Sequence, residues 1–117
     1  MNMYYNILET DEAIKDLHKI SIQGYEYTRD KNTGIRFLEN YSETVETLTQ
    51  FPKGFRGISI EHRGYEIKIF PFANYNIFFI VREESKDVVI LRVLYQKQNW
   101  GKILRIDRSY HLLGEAI

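Results

Sequence analysis

The chain has 117 residues, 44% of them hydrophobic and 27% charged, with sixteen basic residues balanced by sixteen acidic ones. A length of this order has room for one hydrophobic core, so residues 1–117 are expected to form a single domain, and the zero net charge argues against a protein that grips nucleic acid over its whole surface. Cysteine is absent, which excludes disulfides, thiolate metal sites and a cysteine nucleophile, and no apolar run approaches the ~18 residues of a membrane helix, so a cytoplasmic location is expected.

In chain order, residues 3–8 (MYYNIL) are apolar with one interruption and predict a first strand, which stops at the polar Glu9-Thr10-Asp11. Ala13, Leu17 and Ile20 then recur at steps of four and three, predicting a helix from Asp11 to Thr28 or beyond, with Asp11 and Glu12 at the positive end of its dipole. Gly24 inside it predicts a kink or an earlier end. The run Asp30-Lys31-Asn32-Thr33 breaks the pattern. A second helix carries Leu38, Tyr41, Val45 and Leu48 and closes at Phe51-Pro52-Lys53-Gly54.

The second half is β-rich. Residues 65–70 alternate apolar with polar, as a strand covered on one face does, and residues 75–81 (YNIFFIV) read as a central strand covered on both. Glu83-Glu84-Ser85-Lys86 predicts a hairpin turn into a third strand, residues 87–95. A short C-terminal helix is expected over residues 102–113, with Ile103, Ile106, Tyr110 and Leu113 on one side. The class is therefore α+β: strand, helical hairpin, then a three-stranded antiparallel meander in one mainly antiparallel sheet. His18, His62 and His111 lie in separate segments without ligand spacing, so neither a metal nor a cofactor is expected, and His18 is placed in solvent.

With this order in view, the wording of the chain resembles the RelE/ParE toxins of type II toxin–antitoxin systems. ILETDEAIKDLHKI is similar to the family's opening strand and first helix, through Ala13 and Asp16-Leu17. YTRDKNTGIRFLENYSETVETLTQFPKG resembles its second helix and Pro-Gly exit, with Tyr27, Phe37, Leu48, Pro52 and Gly54 in the expected places. YEIKIFPFANYNIFFIV looks like its second and third strands, through Lys68 and Tyr75, and VVILRVLYQKQNW like its last strand and polar tail. The resemblance covers residues 5–105 and implies a cognate antitoxin as partner.

RelE-like members of the family act as ribosome-dependent mRNA endoribonucleases, whereas ParE-like members inhibit DNA gyrase by binding. RNA cleavage needs an activated 2′-hydroxyl, cations for the phosphate and a proton for the leaving oxygen. Where RNA-cutting relatives often carry histidine this chain has Tyr95, and where they carry arginine it has Lys68; Arg82, Arg92 and Lys97 are the remaining nearby cations. If this chain were a ribonuclease, its catalytic residues would be Lys68, Arg82, Tyr95 and Lys97. Regular alternation would send Arg92 and Tyr95 to opposite faces. That thin set and the zero net charge favour the ParE-like reading, in which the protein is no enzyme. In such toxins a C-terminal segment is implicated in toxicity, and the resemblance points to a gyrase contact through Lys97, Trp100, Lys102, Arg105 and Arg108, the three cations Lys102, Arg105 and Arg108 along one side of the expected helix. The same cations fit a plainly solvated helix face, and Trp100 equally fits a cap on the core.

Aromatics off the periodic positions, Tyr4, Tyr25, Tyr27 and Phe55, are expected to face a partner. The helical hairpin and an open sheet edge are the expected antitoxin-docking surfaces. A domain of the same fold without toxicity is the third reading.

Overall fold

Thr10 ends the first strand and starts the first helix with one side chain. Its hydroxyl oxygen accepts from the Ala13 N–H at 2.9 Å and donates to the Leu91 carbonyl at 2.8 Å, which satisfies an orphan helix donor and an unpaired strand acceptor together. In a computed structural model that describes residues 4–117, β1 (Asn6–Glu9) precedes α1 (Asp11–Thr28) and α2 (Lys31–Glu46). The strand expected from residue 3 begins at Asn6, and Met3 lies outside the described residues.

α1 runs unbroken through Gly24 to an αL cap at Arg29. The glycine serves packing: a Cβ there would stand 3.2 Å from Thr33 Cγ2, and one at Gly34 only 2.7 Å from the Ser21 carbonyl oxygen. These two crossings, 24 with 33 and 34 with 21, make the helices an antiparallel hairpin in close contact. α2 stops at Glu46, before the Phe51-Pro52 signal, and 3-10 turns at Thr47–Thr49 and Pro52–Gly54 complete the exit. Its inward face is Gly34, Phe37, Tyr41 and Val45, while Leu38 is exposed.

Four strands follow where three were expected: β2 (Gly57–His62), β3 (Tyr65–Phe72), β4 (Tyr75–Arg82) and β5 (Asp87–Tyr95). They pair antiparallel in sequence order, and β1 adds to β5 in parallel, giving a sheet of order β1-β5-β4-β3-β2. Arg63 and Gly64, both at positive φ, make the tight turn from β2 to β3.

Alternation along β4 divides the core. Ile77 and Phe79 face the helical hairpin with Leu17, Tyr41 and Val45, whereas Phe78 and Ile80 face the other way, towards Leu104, Tyr110 and Leu112. Both faces of the central strand are thus covered, as its apolar run requires, and each fully buried phenylalanine contributes ~2–3 kcal/mol.

The second face is closed by α3 (Trp100–Ile106) and a two-stranded hairpin, β6 (His111–Leu112) with β7 (Glu115–Ala116). The helix expected over 102–113 therefore starts earlier, on an Asn99 cap, and ends seven residues sooner. Asp107 is extended, and Leu113 and Gly114, both at positive φ, form the hairpin turn. Tyr110 is fully buried, as the periodicity suggested, but Ile106 is 63% exposed, Leu113 wholly so, and Leu104 takes the inward place.

Candidate functional site

β1 runs out at Glu9, opposite Ile90, so from Leu91 onward one edge of β5 lacks a strand partner. The start of α1 fills that gap. Thr10 donates to the Ile90 carbonyl from its N–H and to the Leu91 carbonyl from its hydroxyl, and the Asp16 carboxylate accepts the Val93 N–H at 3.0 Å.

The register also shifts here. Phe79 pairs with Ile90 but Phe78 with Arg92, so Leu91 and Arg92 together oppose Phe78 in a bulge. The Arg92 guanidinium comes out at the bare edge between the helical layer and the C-terminal layer, and it is held from both. Nε and Nη2 donate to the two Asp16 oxygens at 2.7 and 2.9 Å, and Nη1 donates to Asp107 Oδ2 at 2.9 Å. The Tyr110 hydroxyl donates to the same Asp107 oxygen at 3.1 Å. Hydrogen bonding to Asp16 first, then its charge and that of Asp107, outweighs partial burial and raises the Arg92 pKa further.

Beside this cluster lies an open polar hollow floored by Tyr75, Tyr95 and Arg92, with Lys19, Gln23 and Gln98 at its rim. The rings of Tyr75 and Tyr95 stand 5.9 Å apart. Burial first, and then the neighbouring Tyr95, raises the Tyr75 hydroxyl above its usual range, so it is held protonated. Arg92 and Tyr95 line one hollow although alternation separates them along β5, because the guanidinium turns round the unpaired edge.

The four residues grouped as a ribonuclease set are spread over the sheet. Lys68 donates to the Phe55 carbonyl at 2.9 Å, in a hollow shared with Lys53, Glu66, Val81 and Glu83. Counting four residues along β3 and two strands across, it sits roughly 16 Å from Tyr95. Arg82 pairs with Asp87 at 3.1 Å at the far end of β4, roughly 23 Å from the Tyr95 end, and its buried Nε has no partner among the described residues. Lys97 is exposed in the turn after β5. A phosphate placed beside Arg92 would have to displace a carboxylate.

Of the residues grouped as target contacts, Lys97, Lys102 and Arg105 are exposed, the last two together on the outer side of α3. Arg108 is exposed but lies past the helix end, so the three-residue stepping along one helix does not hold for it; it is joined instead by Arg63, whose Nη2 donates to the Arg108 carbonyl at 3.5 Å. Trp100 turns inward and packs on Phe78, with ring centres 5.3 Å apart. Phe55, expected at a partner surface, is half-buried and packs against the core, its ring tilted on that of Phe70 with centres 4.3 Å apart.

Tyr25 and Tyr27 are exposed, Tyr27 at 93%. With Ile14, Ile22 and Ile35, also exposed, they give the helical hairpin an apolar outer surface, including a shallow groove along α1 between Ile14 and Ile22. His18 lies exposed in that groove, as placed from sequence. Sequence reasoning missed the Asp16–Arg92–Asp107 cluster and Arg63.

No helix among the described residues is long and apolar enough to cross a membrane. The sequence model of the ParE toxin of type II toxin–antitoxin systems (parDE) matches residues 7–100. A chain of the chromosomal ParDE system of P. aeruginosa superposes with a TM-score of 0.62 at 21% identity, covering 81% of this chain and 98% of that one. A chain of the RelBE2 toxin–antitoxin complex of Mycobacterium tuberculosis gives 0.54 at 23% identity, with 80% and 99% covered. One from the archaeal RelE–RelB complex of Pyrococcus horikoshii gives 0.55 at 17%, with 82% and 99% covered. No curated protein matches the sequence at a significant level.

Proposed function

The chain belongs to the ParE toxin family of type II toxin–antitoxin systems, and from that premise we propose that it is a cytoplasmic toxin that binds and inhibits DNA gyrase without enzymatic activity of its own. The observation that carries this reading is the engagement of Arg92 by Asp16 and Asp107. RNA cleavage needs free cations where charge develops on the phosphate; among the described residues the one arginine lining the Tyr95 hollow faces two carboxylates instead, which leaves only the flexible-stemmed lysines Lys19 and Lys97 near it. Lys68 and Arg82 stand too far from Tyr95 to act with it in one step.

A cognate antitoxin is the partner that keeps the protein inactive. Its docking surface is the apolar outer side of the helical hairpin, where Ile14, Ile22, Tyr25 and Ile35 are exposed, and the free edge of β1 or β2 offers a place for an extended segment.

The test is supercoiling by purified gyrase, with and without this protein freed of its antitoxin. Inhibition with trapped cleaved DNA is expected. Unaffected supercoiling at micromolar protein overturns the reading and moves the question to the ribosome, with a translation assay on Lys68 and Tyr95 variants.

A further inference from the structure

The zero net charge hides a local imbalance. Between residues 96 and 109 the chain carries four basic residues, Lys97, Lys102, Arg105 and Arg108, against one acid, Asp107. Asp107 turns inward onto Arg92 and Tyr110, so its carboxylate does not neutralise the outer surface. All four cations are exposed, and among the described residues none of them is ion-paired, nor is Arg63, which reaches the Arg108 carbonyl from the β2–β3 turn. The surroundings supply three exposed acids, Glu61, Glu115 and Glu84, the last lining a hollow with Arg63, fewer than the five cations.

The kind of partner follows from what this surface lacks. A protein–protein hot spot is centred on a well-packed aromatic, with arginine commonly beside it and lysine depleted. Here Trp100, the one tryptophan, is spent on Phe78, the exposed Tyr95 opens into the hollow beside Arg92, and the apolar side chains left along the C-terminal segment are Ile106 and Leu113. Exposed, unpaired lysines and arginines without an aromatic anchor among them match a phosphodiester backbone, which is gripped through charge and counterion release and not through shape.

We propose that the run of exposed cations from Lys97 through Lys102 and Arg105 to Arg108 and Arg63, which crosses from the Tyr95 end of the sheet to the β2–β3 turn, binds the phosphate backbone of duplex DNA without reading its sequence. In the cell this is the DNA held by gyrase, a placement that rests on the function proposed above. Three of the five cations lie beyond the residues matched by the family model, so the surface is a property of this chain's own C-terminal segment.

The experiment is fluorescence anisotropy with a labelled 20-base-pair DNA duplex of mixed sequence, across a salt series. Five phosphate contacts predict about 4.5 decades of affinity lost per decade of salt. The variant Lys102→Gln/Arg105→Gln/Arg108→Gln should bind at least tenfold more weakly at low salt, with the slope cut to about two-fifths. The control Lys15→Gln/Lys31→Gln/Arg36→Gln removes the same charge from the helical hairpin and should bind as the wild type does; all of these side chains are exposed, and circular dichroism checks that both variants fold. No binding by the wild type at low salt, equal binding by the C-terminal variant, equal loss in the control, or a duplex RNA bound tenfold more tightly than DNA each overturns the proposal. A C-terminal variant that loses DNA binding yet inhibits gyrase undiminished overturns the DNA contact and leaves gyrase inhibition standing. A wild type that binds DNA but leaves supercoiling untouched does the reverse.

Discussion

Asp16 on the first helix and Arg92 on the last long strand, 76 residues apart, are joined by two N–H···O bonds of 2.7 and 2.9 Å. The same Asp16 carboxylate takes the Val93 N–H, so one side chain ties the guanidinium and completes the strand edge. Both side chains are mostly shielded, Arg92 at 19% and Asp16 at 14% exposure. Truncating one partner leaves the other partly buried and unpaired, which is the costly way to break such a pair.

Asp16→Ala is therefore expected to destabilise the protein by about 2–3 kcal/mol, a little below the fully buried range because water still reaches the pair. Asp107→Asn should cost about 1 kcal/mol, since Asp16 continues to hold Arg92 and the amide oxygen still accepts from Tyr110. Urea midpoints for the two variants check this; equal costs would show that Asp16 is not the main anchor.

Gly24 and Gly34, the glycines of the helical hairpin, give contrasting expectations. Gly34→Ala sets a methyl 2.7 Å from the Ser21 carbonyl oxygen, and backbone cannot yield cheaply, so a loss of about 1–3 kcal/mol is expected. Gly24→Ala meets only the Thr33 methyl at 3.2 Å, and the gain of about 1 kcal/mol in helix propensity offsets that contact. Thermal melts of both variants check the contrast.

His62 is buried against the Tyr110 ring, with centres 4.8 Å apart. Burial lowers its pKa below the ordinary value, outweighing the hydrogen bond to the Ile117 carbonyl. With the folded value depressed, the unfolded chain takes up a proton first as the pH falls. Stability is thus complete above the ordinary histidine pKa of about 6.5 and declines as the pH drops through the folded value. Replacement by Gln should flatten this part of a stability–pH curve measured between neutral and mildly acid buffer; an unchanged slope would place the titration elsewhere.

Truncation after Trp100 cannot isolate a target-binding tail, because it strips Leu104, Tyr110 and Leu112 from the second core face. Tyr110→Ala alone is expected to cost about 3–5 kcal/mol. Toxicity in growing cells is better tested with Lys102→Gln/Arg105→Gln/Arg108→Gln, expected to weaken growth arrest, beside Tyr95→Phe, expected to leave it intact. The reverse order of severity would favour RNA cleavage.

Sequence pattern was most informative where it was local and periodic. The inward residues Ala13 and Leu17, the two-faced β4 and the turn at Glu83–Lys86 need no distant partner to be recognised. β2 escaped because its alternation is short, Ile58 and Ile60 only, and is broken by Ser59 at positive φ. The C-terminal residues Ile103, Ile106 and Tyr110 happen to repeat at helical steps while the chain turns into a hairpin; Gly114 was the local sign of that turn. The Arg92 cluster left no local trace at all, since its carboxylates come from two other elements and its geometry from a bulge.

The pairing of β1 with β5 also sets a clock. Glu9 waits for Ile90, and Glu12 for His111, which lies 99 residues later. At 5–20 residues per second, synthesis needs roughly 4–16 s to carry the chain from the first member of the strand pair to the second. Throughout that interval the side of the nascent helical hairpin that carries Ala13, Leu17, Tyr41 and Val45 has no sheet to cover it. The opposite side, with Ile14, Ile22, Tyr25 and Ile35, is synthesised before β5 as well, so on the docking proposed above an antitoxin could engage the hairpin while the rest of the chain is still being made.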